Sequence, residues 1–288
     1  MPSDSELNTK EKALPVVLII YIICFAFRIL EYFVLRTDQT FWGEAFIHKL
    51  TGIAVLFACM KLYHIRPGII GFVSSEAIYD LLKGIAFGIA IFVIAYIAEI
   101  LILVIQGSFD GLNLYVSAYA VDGNIGNQTA FIFFLICIIG NIINVVMEEG
   151  IFRGLFQKIL EKKYSFVIAA VIASLLFGLW HIMSPFRSYC DGAMSIGSFA
   201  ANSIMLVTTS GLVGFKFAMM TKLTGNLYMA MGDHFVNNVI VNMLHVISDT
   251  GADKLMVVRI AIAQSVSFII VLAWYLITIR KKQYIKNK

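Results

Sequence analysis

Charge is what this sequence has least of. Only 14% of its 288 residues are Asp, Glu, Lys or Arg, and 60% are hydrophobic. Soluble domains run at about 25% charged and about 45–50% apolar. A water-soluble fold of this length could not bury so much apolar side chain, so the excess faces lipid. The same scarcity argues against a nucleic-acid partner. The net charge of +4 is small, and Lys and Arg sit in short connections between apolar runs, not on one basic face. Cysteine is sparse: Cys24, Cys59, Cys137 and Cys190 show no CxxC spacing. Three of them lie inside apolar runs and read as packing residues, not as a disulfide framework or a zinc site. The only prolines are Pro2, Pro15, Pro67 and Pro185. There is no internal repeat, no low-complexity segment and no HExxH.

What is present is a series of long apolar runs. A spanning helix needs about 20 mostly apolar residues. Eight stretches qualify, near 14–35, 43–62, 81–105, 129–147, 165–183, 201–220, 226–246 and 256–279. The second is interrupted by His48 and Lys49. The expected fold class is therefore all-α: a polytopic transmembrane bundle of about eight spanning helices with both termini cytoplasmic. The expected organisation is a cytoplasmic tail over 1–12, a bundle over 13–280 with its catalytic core at about 129–246, and a basic cytoplasmic tail over 281–288. The first run is too long for the apolar region of a cleaved signal, and no small-residue cleavage site follows, so it reads as a retained helix.

Lys and Arg set the orientation. With the N-terminus inside, Lys10, Lys12, Lys61, Arg66, Lys83, Arg153, Lys158, Lys162, Lys163, Lys216, Lys222, Arg280, Lys281, Lys282, Lys286 and Lys288 fall on or near the cytoplasmic side. The other side keeps Arg36, Arg187, Lys254 and Arg259. The longest polar connection, 107–128, lies outside and has neither Lys nor Arg.

Polar groups at membrane depth are costly unless paired or facing a wet cavity, so each is a candidate for function. The fourth run carries Asn141, Asn144, Glu148, Glu149 and Arg153, the fifth His181, and the seventh Asp233, His234, Asn237, Asn238, Asn242 and His245. Asn141, Asn144 and Glu148 share one helical face. Glu149 is turned about 100° away and lies four residues before Arg153, the spacing of a structural ion pair. Glu148 is thereby left to face a cavity. His234 and Asn238, at i and i+4, share a face, with Asn242 and His245 further along. Counting from the turn near 162–165, Glu148 and His181 both lie roughly 22–26 Å away and can meet at one level. Arg28 with Glu31 reads as an ion pair and Glu99 as a buried hydrogen-bonding residue. His48, His64 and His245 read as packing residues.

Three motifs then stand in order on separate apolar helices: EExxxR from Glu148 to Arg153, FxxxH from Phe177 to His181, and HxxxN from His234 to Asn238. The set resembles the CPBP family, which contains the type II CAAX prenyl endopeptidases and the Abi-type bacteriocin-processing and immunity proteases. The resemblance covers roughly 129–246. It implies a cell-membrane intramembrane protease in which Glu148 is the general base, His181 holds the water, His234 and Asn238 form the oxyanion hole, and Glu149 and Arg153 are supporting residues. It also raises a zinc site drawn from Glu148, Glu149, His181 and His234. With HExxH absent and the two His on separate helices, the reading favours a cofactor-free glutamate mechanism. The expected partners are the bilayer and a peptide or membrane-protein substrate, reached from the cytoplasmic leaflet. A non-proteolytic scaffold or immunity protein, and a transporter using the polar helices as an ion relay, are the alternatives.

Overall fold

The structure, a computed structural model, describes residues 12–117 and 125–286. The N-terminal tail over 1–11, part of the long polar connection and the last two residues of the basic tail lie outside the described residues. Eight helices stand where eight runs are expected. They are α1 (Ala13–Leu30, continuing as a wider π turn over Glu31–Leu35), α2 (Ile47–Leu62), α3 (Ala77–Ile105), α4 (Phe131–Glu161), α5 (Phe166–Trp180, followed after a tight turn by the short α6, Met183–Cys190), α7 (Ile196–Thr224), α8 (Tyr228–Met243) and α9 (Met256–Lys286). Six of these segments are long and apolar enough to cross a membrane. The other two, α2 and α8, have 16 residues each. At about 24 Å they fall short of a hydrocarbon core of about 30 Å. The expectation of about eight spanning helices roughly fits, with α2 and α8 as the short members of the bundle. The basic run after 280 is helical through Lys286, as a continuation of α9.

The two ends of the bundle differ. At one end Asn226 Nδ2 donates to Asp80 at 2.6 Å and the Lys222 ammonium lies 4.0 Å from Glu161. Lys61, Arg66, Lys83, Lys158, Lys162, Lys163 and Arg280 belong to this basic end. At the far end most of the few cations are paired: Arg36 with Asp191 at 3.0 Å, Arg187 with Asp38 at 2.7 Å and Lys49 with Glu44 at 2.9 Å. Arg259, expected in an outer loop, lies fully buried in α9 between Glu99 at 2.6 Å and Asp253 at 2.9 Å. Glu99 is thus the buried bonding residue its position suggests.

The far end also carries a small antiparallel sheet, absent from the all-α expectation: β1 (Phe109–Leu114), β2 (Leu244–Ser248) and β3 (Gly251–Ala252). The helix α8 stops at Met243 and the chain extends into β2, so His245 is a strand residue and not a later member of the α8 face. Its Nδ1 meets Asp253 at 2.5 Å, and its ring stacks on Tyr115 at 3.8 Å. Burial pulls the Asp253 carboxyl upward, but hydrogen bonds from His245 and Arg259 outweigh it and hold the group below its ordinary value.

Short α8 reaches the centre of the bundle because it packs backbone to backbone on α3. A Cβ on Gly84 would fall 2.1 Å from the Met229 carbonyl oxygen, and one on Gly232 would fall 2.4 Å from that of Leu81. Small residues permit such approaches in membranes. Gly232→Val is expected to push α8 off α3 and to lower the thermal midpoint and the monodisperse yield in detergent. A Tm equal to wild type would show that the crossing tolerates a side chain.

The expected Arg28–Glu31 pair does not form. The chain widens after Leu30, and the Glu31 carboxylate turns to the start of α2. There it accepts from the backbone N–H groups of Ile47 at 2.8 Å and His48 at 2.6 Å, from the Thr37 hydroxyl, and from His48 Nδ1. Unpaired amides and the positive dipole end of a helix attract a carboxylate more than a neighbouring guanidinium at i−3 does. Arg28 lies instead over the Trp180 ring, 4.5 Å from its centroid.

Candidate functional site

Glu148 and Glu149 stand where α4 passes from α-helical to a π stretch over Glu149–Phe156. Such stretches occur often at functional sites. The two carboxylates separate as the helical phase requires. Fully buried Glu149 turns into the bundle, 3.3 Å from Arg153 and 2.8 Å from His234 Nδ1. Arg153 is held further by the Gly214 carbonyl at 3.3 Å and by the Phe177 face at 3.9 Å. Glu148 turns to the cavity. Its Oε1 accepts from Trp180 Nε1 at 3.1 Å, and its Oε2 accepts from Asn144 Nδ2 at 3.1 Å and lies 3.5 Å from His234 Nε2. His234 is therefore fixed through Nδ1 by Glu149, which leaves Nε2 facing the cavity beside Glu148. Phe217 stacks on the ring at 5.0 Å.

His181 closes the last turn of α5. Its Nδ1 faces the Phe177 carbonyl at 2.8 Å. A carbonyl only accepts, so Nδ1 carries the hydrogen and Nε2 keeps its lone pair. Asn238, one turn beyond His234, is set by a chain of amides. The Lys216 ammonium donates to Gln264 Oε1 at 3.2 Å, Gln264 Nε2 to Asn237 Oδ1 at 2.7 Å, and Asn237 Nδ2 to Asn238 Oδ1 at 3.1 Å. Each link fixes the orientation of the next, and the Asn238 NH₂ is left as the donor end. Lys216 is anchored by Asp233 at 2.7 Å.

Glu148, His181, His234 and Asn238 all line one cavity of about 400 Å³, shared with Arg28, His48 and Asn144. Each residue picked from the sequence as catalytic faces this cavity, and the two picked as supporting lie directly behind it. Sequence reasoning misses Trp180, Gln264 and Lys216 as parts of the site. The place of Trp180 immediately before His181 is a signal that could have found it; nothing in the spacing marks Gln264 as a partner of α8. Among the described residues, no three His, Cys, Asp or Glu side chains come together in an arrangement that would hold a metal ion. Of the set considered from sequence for zinc, Glu149 is engaged by Arg153 and by His234 Nδ1.

On the basic side of Glu148, α4 carries the tightly packed Ile151, Phe152, Leu155 and Phe156, each buried and none of them lining the cavity. Most of the lining lies in the far halves of its helices (Arg28 of α1, Asn141 and Asn144 of α4, Asn238 and Asn242 of α8, Gln264 of α9), with Glu148 and His234 near the middle of theirs. The expectation of entry from the basic, cytoplasmic leaflet does not match this geometry.

Residues 129–240 match the family model described as type II CAAX prenyl endopeptidase Rce1-like. That stretch takes in α4, α5, α7 and most of α8, and with them every residue of the Glu/His/His/Asn set. No curated protein matches the chain.

Proposed function

We propose, for a chain that belongs over residues 129–240 to the Rce1-like type II CAAX prenyl endopeptidases, the activity of an intramembrane endopeptidase of the cell membrane that hydrolyses a peptide bond with a glutamate-activated water and no metal. One observation carries this reading: a buried carboxylate, an imidazole with a free lone pair and two oriented donors line a single cavity within a multi-pass bundle.

Glu148 takes the proton from water and later delivers it to the leaving amine. Trp180 and Asn144 hold its two oxygens so that the base is already oriented. His181, with Nδ1 occupied by Phe177, accepts from the same water through Nε2. His234 and Asn238 donate to the oxygen that becomes negative as the carbonyl is attacked, the term that usually contributes most in acyl transfer. Glu149 and Arg153 keep His234 in place.

The test is cleavage by the purified full chain in proteoliposomes. The substrates are a prenylated CAAX peptide and a set of exported-peptide precursors, each resolved by mass spectrometry. Product from wild type and none from Glu148→Gln, His181→Ala or His234→Ala supports the reading. Equal product from wild type and Glu148→Gln overturns it. Rates are expected to be unchanged after dialysis against a metal chelator. Loss of activity that added zinc restores would refute the metal-free mechanism.

A further inference from the structure

The direction in which the cavity opens bears on the substrate. Two independent observations meet here. The first is the distribution of fixed positive charge. Among the described residues, Lys61, Arg66, Lys83, Lys158, Lys162, Lys163, Lys222 and Arg280 stand at one end of the bundle. At the other end stand Arg36, Lys49, Arg187 and Lys254, the first three paired to Asp191, Glu44 and Asp38. Arg153, Lys216 and Arg259 are buried in ion pairs and belong to neither end. Lys and Arg near helix ends stay in the cytoplasm. The second observation is that most of the cavity's lining beyond Glu148 lies in the helix halves toward the end with few cations, while Ile151, Phe152, Leu155 and Phe156, on the basic side of Glu148, are buried and take no part in the lining.

A side opening extends the cavity in the same half of the bundle. Between α7 and α9 lies an apolar cleft of about 470 Å³ that shares Leu206, Thr209, Val213, Ile260 and Gln264 with the polar cavity. Its rim carries Leu212, Val257 and Ile269, exposed at 53%, 63% and 64%. Exposed aliphatic side chains on spanning helices face lipid. The cleft thus joins the outer half of the bilayer to the Glu148 chamber.

We propose that the chamber is served from the non-cytoplasmic side, and that its substrate is a membrane-anchored peptide presented there, with an apolar segment in the α7–α9 cleft and the scissile bond over Glu148. This rests on the protease reading for the cleavage itself, but not for the side of entry. Exported precursors and the outer tails of membrane proteins meet the requirement. A prenylated chain end in the cytosol does not, because it stands at the basic end, opposite most of the cavity's lining.

Two measurements on the full chain in intact cells test this. In the first, Ser210→Cys and Asn242→Cys, which line the chamber, and Lys162→Cys at the basic end are each placed in a Cys190→Ser background and exposed to a membrane-impermeant charged maleimide. Ser210→Cys and Asn242→Cys are expected to label in intact cells. Lys162→Cys is expected to label at least about tenfold more after permeabilisation. The reverse pattern overturns the assignment of the side. In the second, a single-span reporter carries the same tail either outside or inside. Cleavage of the outward tail alone, lost in Glu148→Gln, supports the proposal; cleavage of the inward tail alone overturns it. Outward labelling with neither tail cut would retain the side of entry and count against the protease reading.

Discussion

Glu148→Gln is expected to lower kcat by at least about a thousandfold with little change in KM. The substitution keeps the size of the side chain but removes the base, and a positioned general base contributes about 10²–10⁴-fold. The amide can still accept from Trp180 Nε1 through its oxygen, so that contact of 3.1 Å survives. Its NH₂ would then meet the Asn144 amide, which now donates at 3.1 Å. Asn144 has only to flip, a small cost beside the loss of the base. Stability should therefore move little while turnover collapses, and a thermal melt beside a rate measurement separates the two. A Glu148→Gln enzyme retaining about a tenth of wild-type kcat would remove Glu148 from the chemistry.

The second large effect is expected at Asn238. Asn238→Asp keeps the shape and the Oδ1 acceptor that Asn237 uses at 3.1 Å, but replaces the free NH₂ by an oxygen. Losing one oxyanion donor costs about 10²–10³ in kcat, and a carboxylate beside a developing oxyanion adds repulsion. The amide chain predicts a graded companion result. Gln264→Leu leaves Asn238 in place but cuts the link at 2.7 Å that orients Asn237. It should lower kcat about tenfold with KM nearly constant. If Gln264→Leu matches wild type while Asn238→Asp is inactive, the chain from Lys216 has no part in orienting the donor.

How these residues come together was partly written in the sequence. Helical phase separates Glu148 from its neighbour, and it assigns the structural pair to Glu149 with Arg153 and the cavity to Glu148; the 3.3 Å and 3.1 Å contacts follow that division. Counting about 1.5 Å per residue from the Lys162–Ser165 turn places Glu148 and His181 at one level, and both line the chamber. Phase alone could not show that His234 bridges the two carboxylates, because that depends on where α8 begins. Gly84 and Gly232 let α8 start inside the bundle, a close approach set by two segments far apart in sequence. The Arg28–Glu31 expectation failed for a related reason: spacing at i and i+3 knows nothing of a helix start 16 residues on that needs an acceptor. The β1–β2–β3 cap was missed because Leu244–Ser248 prolongs an apolar helical pattern, and only its pairing with Phe109–Leu114 favours the extended form. The side of entry was missed because charge counts orient a bundle but do not show which end of it is packed shut.

The central claim is that water, activated at Glu148, is added across a peptide bond. It is tested most directly by running the cleavage in H₂¹⁸O and weighing both products. One ¹⁸O in the new carboxyl group, none in the new amine, and no product at all from Glu148→Gln is the predicted result. Product that carries no ¹⁸O, or that forms equally well without the Glu148 carboxylate, would contradict it.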